Sequence, residues 1–226
     1  MQKNDNLTAH SASSYDDHVR ESIPNYDVFH DETINLVSTY LPRPGLWLDT
    51  GCGTGTLVLK AYSQFSDTKF ILTDPSPGMI GLAQLKLEGK DRATILSPTE
   101  TKHINLPEKA DVITAIQAHH YMGADLRRLS TQKCFDLLKP EGVFVTFENI
   151  RPLTDAGTEI GKEYWKRYQE RAGKSKEEAQ RHLDRFGKEY NPITVEQHLD
   201  LLRRCHFKVV EILWYSYMQA GFYCIK

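Results

Sequence analysis

Between residues 46 and 148, short continuous apolar runs alternate with segments of helical period, and this alternation restricts the fold more than any other feature of the chain. The pattern predicts strands over 46–49, 69–73, 93–97, 111–116 and 142–148, with helices over 56–65, 77–88 and 124–138. Strands that are apolar on both sides must be covered on both faces, which is the situation of a parallel sheet joined by crossover helices. Only from Ser97 to Ala110 is a crossover helix missing or short.

The first of these strands ends in an acid and breaks into glycines: Leu46-Trp47-Leu48-Asp49-Thr50-Gly51-Cys52-Gly53-Thr54-Gly55. Glycine at alternate positions permits positive φ and lets a ligand approach the backbone. A turn built for a pyrophosphate would place its third glycine where Thr56 stands, so a dinucleotide is not expected. Asp49, two residues ahead of Gly51, suits instead a ligand with an ammonium group. A second acid, Asp74, closes the next strand about 20 residues on, where a ribose-binding carboxylate is expected. Two acids at successive strand ends beside a glycine turn describe a nucleoside site.

Four motifs in order carry a resemblance: Leu48 to Gly55, Leu72-Thr73-Asp74-Pro75-Ser76-Pro77-Gly78-Met79, Ala110-Asp111-Val112-Ile113, and Leu137-Leu138-Lys139-Pro140-Glu141-Gly142-Val143-Phe144. On these residues the chain resembles the class I S-adenosylmethionine-dependent methyltransferases. The resemblance implies an α/β, Rossmann-like, seven-stranded and mostly parallel sheet with an antiparallel edge strand, helices on both faces and a helical lid. It implies S-adenosyl-L-methionine as cofactor and a small-molecule acceptor. Asp49 and Gly51 would face the methionine part, with Thr50, Cys52, Gly53 and Gly55 completing the turn. Asp74 would accept from the ribose, Pro75 and Met79 would flank the adenine, and Glu100 or Thr99 would meet its amino group. Ile116 and Gln117 would pass beside the sulfonium, and His119 and His120 would form the floor of the acceptor pocket.

Methyl transfer from a sulfonium is an in-line displacement, so alignment matters more than a base, which is needed only when the acceptor carries a proton. His120 is the first candidate base, followed by His119 and Tyr15, although each histidine ring could equally be a core residue. Adjacent histidines point apart and no matching ligand spacing follows, so no metal is expected. Ser22 to Tyr26, Tyr164 to Gly173, and Val210 to Tyr215 with the ending Ile225-Lys226 also resemble a subgroup that includes carboxy-S-adenosylmethionine synthase. Arg181 or Arg185 would then face the extra carboxylate of its cofactor, but the ordinary form of the glycine turn favours ordinary S-adenosylmethionine.

The chain of 226 residues fits one large domain. The expected division is a mobile tail over 1–14 and a methyltransferase domain over 15–226, with lid elements at 15–41 and about 152–191. Ser175-Lys176-Glu177-Glu178 and Thr194-Val195-Glu196-Gln197 match capping boxes, and Phe207 to Leu213 with Tyr217 to Ile225 predict an antiparallel hairpin. Tyr164, Trp165, Tyr168, Trp214, Tyr215 and Tyr217 are candidate pocket aromatics, with core packing as the alternative. A balance of 28 basic against 30 acidic residues gives no global field for nucleic acid, leaving tRNA as the one such partner kept open. No apolar run is long enough for a membrane span, and Cys134, Cys205 and Cys224 read as reduced and buried, so a cytoplasmic monomer or homodimer is expected.

Overall fold

The computed structural model describes Thr8 and residues 11–226; the tail expected over 1–14 lies mostly outside the described residues. Two helices, α1 (Tyr15–Ser22) and α2 (Tyr26–Tyr40), precede the alternating region. There follow β1 (Leu46–Thr50), α3 (Thr56–Gln64), β2 (Lys69–Thr73), α4 (Pro77–Lys86), β3 (Ala93–Ile95), β4 (Ala110–Ile116), α5 (Ala124–Leu137) and β5 (Leu138–Asn149). The remainder is α6 (Asp155–Arg171), α7 (Lys176–Leu183), α8 (Val195–Arg204), β6 (Val209–Ser216) and β7 (Gln219–Ile225).

The seven strands form one sheet in the order β3-β2-β1-β4-β5-β7-β6. The first five are parallel, and β7 runs antiparallel to both β5 and β6. The predicted hairpin is therefore present, and its second strand is the one that joins the parallel sheet. The order reverses between β1 and β4, which opens a crevice outside their carboxyl ends.

Strand alternation sends successive side chains to opposite faces, and both faces are filled. Trp47, Phe70, Val112, Val145 and Phe147 pack with Phe29 and Val37 of α2, Val58 and Ala61 of α3, and Trp165 of α6. Leu48, Ile113, Phe144, Phe222 and Cys224 pack on the other side with Cys134 of α5 and Leu202 of α8. Cys134, Cys205 and Cys224 are buried and free, as expected.

Between β3 and β4 there is only a 3-10 turn at Thr101–His103, in keeping with the missing crossover helix. β5 begins at Leu138, four residues before the predicted 142, because a register shift opposite Ala110 and Val112 absorbs the Lys139-Pro140-Glu141-Gly142 segment. Both capping boxes form: Ser175 with Glu178 opens α7, and Thr194 with Gln197 opens α8. The insert is tied to α1 by bonds from Trp165 Nε1 to the Ser22 carbonyl (2.7 Å) and from the Tyr168 hydroxyl to the Arg20 carbonyl (2.7 Å). No helix among the described residues is long and apolar enough to cross a membrane.

Candidate active site

At the carboxyl ends of β1, β2 and β4 lies a cavity of about 270 Å³. Its wall includes Gly51 and Gly53 of the glycine turn, Asp74 and Pro75 after β2, Met79 of α4, Glu100, Ile116 and Gln117 at the end of β4, and Tyr15 from α1. These predicted residues converge although they come from five separate stretches of chain.

The glycine positions have different tasks. Gly51 has φ +65°, and a Cβ there would stand 2.5 Å from the Ala118 Cβ, so it lets the turn after β4 come close. Gly55 has φ +78° and faces Leu87 and Ala83, away from the cavity. Gly53, with φ +54°, has nothing within 4 Å of where its Cβ would lie, and of the three glycines in this turn it alone combines open space with a place in the wall.

Asp74 accepts the Gly53 amide at 3.0 Å and the Ser76 amide at 2.9 Å, which fixes both oxygens at the rim. The cap of α4 is Ser76, which accepts from the Met79 amide at 3.2 Å. Asp49 stands behind the wall: it is 2 % exposed and accepts from Thr114 Oγ1 at 2.7 Å, and burial lifts its carboxyl to about 7. Thr50 is likewise buried against the Thr101 hydroxyl (2.7 Å), and neither Asp49, Thr50, Cys52 nor Gly55 borders the cavity. Of the two residues predicted at the adenine end, Glu100 borders it, while Thr99 turns back to the Ser97 carbonyl (2.8 Å).

The histidine pair departs from expectation. His119 and His120 are 2 % and 0 % exposed and neither borders the cavity. His120 Nδ1 lies 2.9 Å from Glu148 Oε2, and its Nε2 lies 3.2 Å from the Asn149 amide nitrogen. Glu148 also accepts both histidine amides (3.3 and 2.8 Å) and the Thr146 hydroxyl (2.5 Å). Burial acts to raise this carboxyl, but the contacts with His120 outweigh it and hold the carboxyl below its ordinary range. His119 packs near Phe144, and burial lowers its ring to about 4, keeping it neutral. The pair anchors the turn after β4, and neither ring lines the cavity. The candidate aromatics behave similarly: Trp165 is core, Trp214 packs on Phe29, and Tyr164 stacks on Tyr217 at 4.3 Å, all away from the cavity.

With this geometry in place, comparison with known proteins is informative. Residues 48–144 match the family described as a methyltransferase domain. Across 93 % of its length the chain is similar to the carboxy-S-adenosyl-L-methionine synthase of Campylobacter lari, at 23 % identity and covering 90 % of that protein. Residues 48–144 thus form a methyltransferase domain, and the chain as a whole is similar to S-adenosylmethionine-dependent enzymes. The Wolinella succinogenes carboxy-S-adenosyl-L-methionine synthase matches at 27 % over 62 % of this chain and 59 % of itself. Among solved structures, human N-acetylserotonin methyltransferase in complex with S-adenosylmethionine superimposes with a TM-score of 0.66 at 15 % identity, over 97 % of this chain and 56 % of that one. An O-methyltransferase family protein from Burkholderia thailandensis gives a TM-score of 0.66 at 15 % identity, over 96 % and 59 %. The chain thus spans less than two thirds of the length of these two structures, and the likeness to them is one of fold.

Several residues at the site carry no motif. Lys86 of α4 donates to Asp16 Oδ2 (2.6 Å), Thr54 Oγ1 (2.6 Å) and Thr56 Oγ1 (2.7 Å), and Thr54 donates to Asp16 Oδ1 (2.8 Å). This cluster fastens α1 to the glycine turn and so sets Tyr15 over the cavity. Burial favours the neutral form of Asp16, but the Lys86 and threonine bonds prevail and lower its carboxyl. Arg127, 2 % exposed, donates to the carbonyls of His119 (3.1 Å), Met122 (3.0 Å) and Asn191, joining the turn after β4 to the end of the insert. Threonine and lysine at these positions are common surface types, so only their tertiary neighbours reveal the role.

Proposed function

We propose that the chain binds S-adenosyl-L-methionine in the cavity at the ends of β1, β2 and β4 and transfers its methyl group to a small-molecule acceptor. The supporting observation is the convergence on one cavity of the Gly53 backbone, the fixed carboxylate of Asp74, the Pro75–Met79 surface and Gln117. When bound, the sulfonium supplies an electrophilic methyl with a good leaving group. Asp74 would accept from the ribose hydroxyls, Pro75 and Met79 would flank the base beside Glu100, and Ile116 and Gln117 would border the reacting centre; all of them line the cavity. Asp49 acts from behind the turn, its charge drawn out when the ammonium arrives.

Neither phenol of the wall, Tyr15 nor Tyr121, is poised as a base near neutral pH. Burial and the neighbouring Tyr26 raise the Tyr15 phenol, and burial raises that of Tyr121. The chain therefore accelerates transfer by alignment and by excluding water, which suits an acceptor whose nucleophilic atom is already unprotonated.

Calorimetry with S-adenosylhomocysteine tests the reading. The wild-type chain is expected to bind, and Asp74→Ala to bind at least about tenfold more weakly, since a charged hydrogen bond contributes about 1.5–3 kcal/mol. Absence of binding would sink the proposal and favour a non-catalytic protein that keeps the fold. A second reading, a carboxy-S-adenosylmethionine synthase-like activity, is supported by the near full-length match to such synthases. It predicts that mass spectrometry of the nucleoside carried by the purified protein finds the carboxylated form.

A further inference from the structure

Behind the main cavity is a smaller one of about 20 Å³, room for about one water molecule or one compact polar group. The two share Thr8, Tyr15, Gln117 and Tyr121, so the inner space opens at the end of β4, beside the position proposed for the sulfonium. Its far wall comes from the insert and includes Arg185 and Tyr190.

The Tyr190 hydroxyl and the Gln117 side-chain amide nitrogen, both in this wall, are buried with no hydrogen-bond partner among the described residues. The Tyr190 hydroxyl belongs to a side chain that is 1 % exposed, and the Gln117 side-chain amide nitrogen is equally cut off from water. A buried polar group without a hydrogen bond costs about 1–3 kcal/mol. Gln117 is also held at φ +55°, a conformation non-glycine residues rarely adopt, with its amide bonded to the Phe147 carbonyl at 2.7 Å. The neighbouring Asn149 is already occupied, giving to His120 Nε2 and receiving from Gln219 at 3.2 Å. The two groups thus belong to side chains that line the same inner space.

We propose that this inner space is the acceptor-orienting subsite, in which Gln117 and Tyr190 hold a carboxylate or carbonyl oxygen of the acceptor next to its reacting atom. The sign of the group follows from the rest of the wall. A carboxamide and a phenol can each present a donor, the Arg185 guanidinium, paired with Glu189 at 2.5 Å, lies 5.9 Å from the Tyr190 ring centroid, and among the described residues no acid lines the space. The Gln117 amide nitrogen can only donate, so a cationic head finds no partner there, whereas an oxygen with lone pairs does. The size admits one such group, leaving the body of the acceptor in the main cavity. This inference rests on the cofactor reading of that cavity and deepens it.

The test uses the whole chain saturated with S-adenosylhomocysteine and probes it with acetate, acetamide and methylammonium by saturation-transfer NMR. Acetate and acetamide are expected to bind and methylammonium not. Tyr190→Phe removes only the hydroxyl and is expected to weaken acetate at least tenfold, with nucleoside affinity within twofold of wild type and no loss of thermal stability. A merely structural tyrosine would leave acetate binding unchanged. Gln117→Met provides a second variant with the same expectation for acetate. If the nucleoside binds but acetate does not, or if both variants hold acetate as wild type does, the subsite is overturned while the cofactor reading stands; if the nucleoside fails to bind, the cofactor reading itself falls. A carboxylated nucleoside carried by the wild-type chain and lost from Tyr190→Phe would support the subsite with the cofactor as the source of the oxygen.

Discussion

Replacing single glycines of the turn separates chain packing from ligand contact. In Gly51→Ala the backbone must stay at φ +65°, which costs an alanine about 1–2 kcal/mol. Its Cβ would also stand 2.5 Å from the Ala118 Cβ, well inside the usual carbon separation of about 3.5–4.0 Å. Relief requires moving backbone on one side or the other, and overpacking of this kind costs about 1–3 kcal/mol. The expected total is about 2–5 kcal/mol, or roughly 5–15 °C in melting temperature for a chain of this length. Gly53→Ala carries the same backbone penalty at φ +54° but meets nothing within 4 Å, so about 1–2 kcal/mol is expected. Its methyl would intrude on the ligand instead, and affinity for S-adenosylhomocysteine should fall at least about tenfold, equivalent to about 1.4 kcal/mol. Urea unfolding of both variants, with calorimetric titration of the nucleoside, reads the two effects separately. Equal losses of stability in the two, or wild-type affinity in Gly53→Ala, would refute the division of roles.

Acid should unfold the protein earlier than its carboxylates alone require. Burial lowers His30, His119 and His198 to about 4, so the unfolded chain takes up their protons first; stability is full above about 6.5 and is lost as pH falls towards 4, by up to about 1.4 kcal/mol per pH unit for each ring. Urea midpoints at pH 7 and pH 5 check this, and His198→Leu should flatten the slope by one ring's share; an unchanged midpoint would count against it. Lys86→Met removes the bonds from α4 to Asp16, Thr54 and Thr56, and with Asp16 partly exposed the stability loss should be only about 1 kcal/mol. The larger expected effect is faster dissociation of S-adenosylhomocysteine in stopped flow, because α1 and Tyr15 lose their fastening, and an unchanged off-rate would show that α1 does not retain the ligand. His120→Gln should cost about 1–3 kcal/mol by disturbing the Glu148 network while leaving nucleoside affinity within twofold. A large loss of affinity with full stability would restore this histidine to the site.

Most of the sheet was legible before any coordinates. β2 spans the predicted residues, α3 and α5 end within one residue of prediction, and both capping boxes open the helices expected of them. Apolar period, caps and glycine spacing act over a few residues, so the sequence displays them directly. β5 was read short because its first residues lie in a register shift that depends on pairing with β4. The site was legible in its backbone and acid components, Gly53 and Asp74, because a turn that must admit a ligand restricts residue type at fixed spacing.

The sequence by itself thus determined a parallel sheet with a nucleoside-sized opening at its first two strand ends. The tertiary structure alone decided which side chains reach that opening. A histidine in sequence carries no sign of whether it faces a ligand or a carboxylate: His120 became structural because Glu148, 28 residues away, claims it. Asp16 and Lys86, 70 residues apart, meet only once α1 folds over the glycine turn. Gln117 and Tyr190 line one space because Arg127 draws the insert onto the end of β4. Local structure follows short-range sterics and hydrogen bonding, whereas burial and partnership are properties of residues that the chain brings together from a distance.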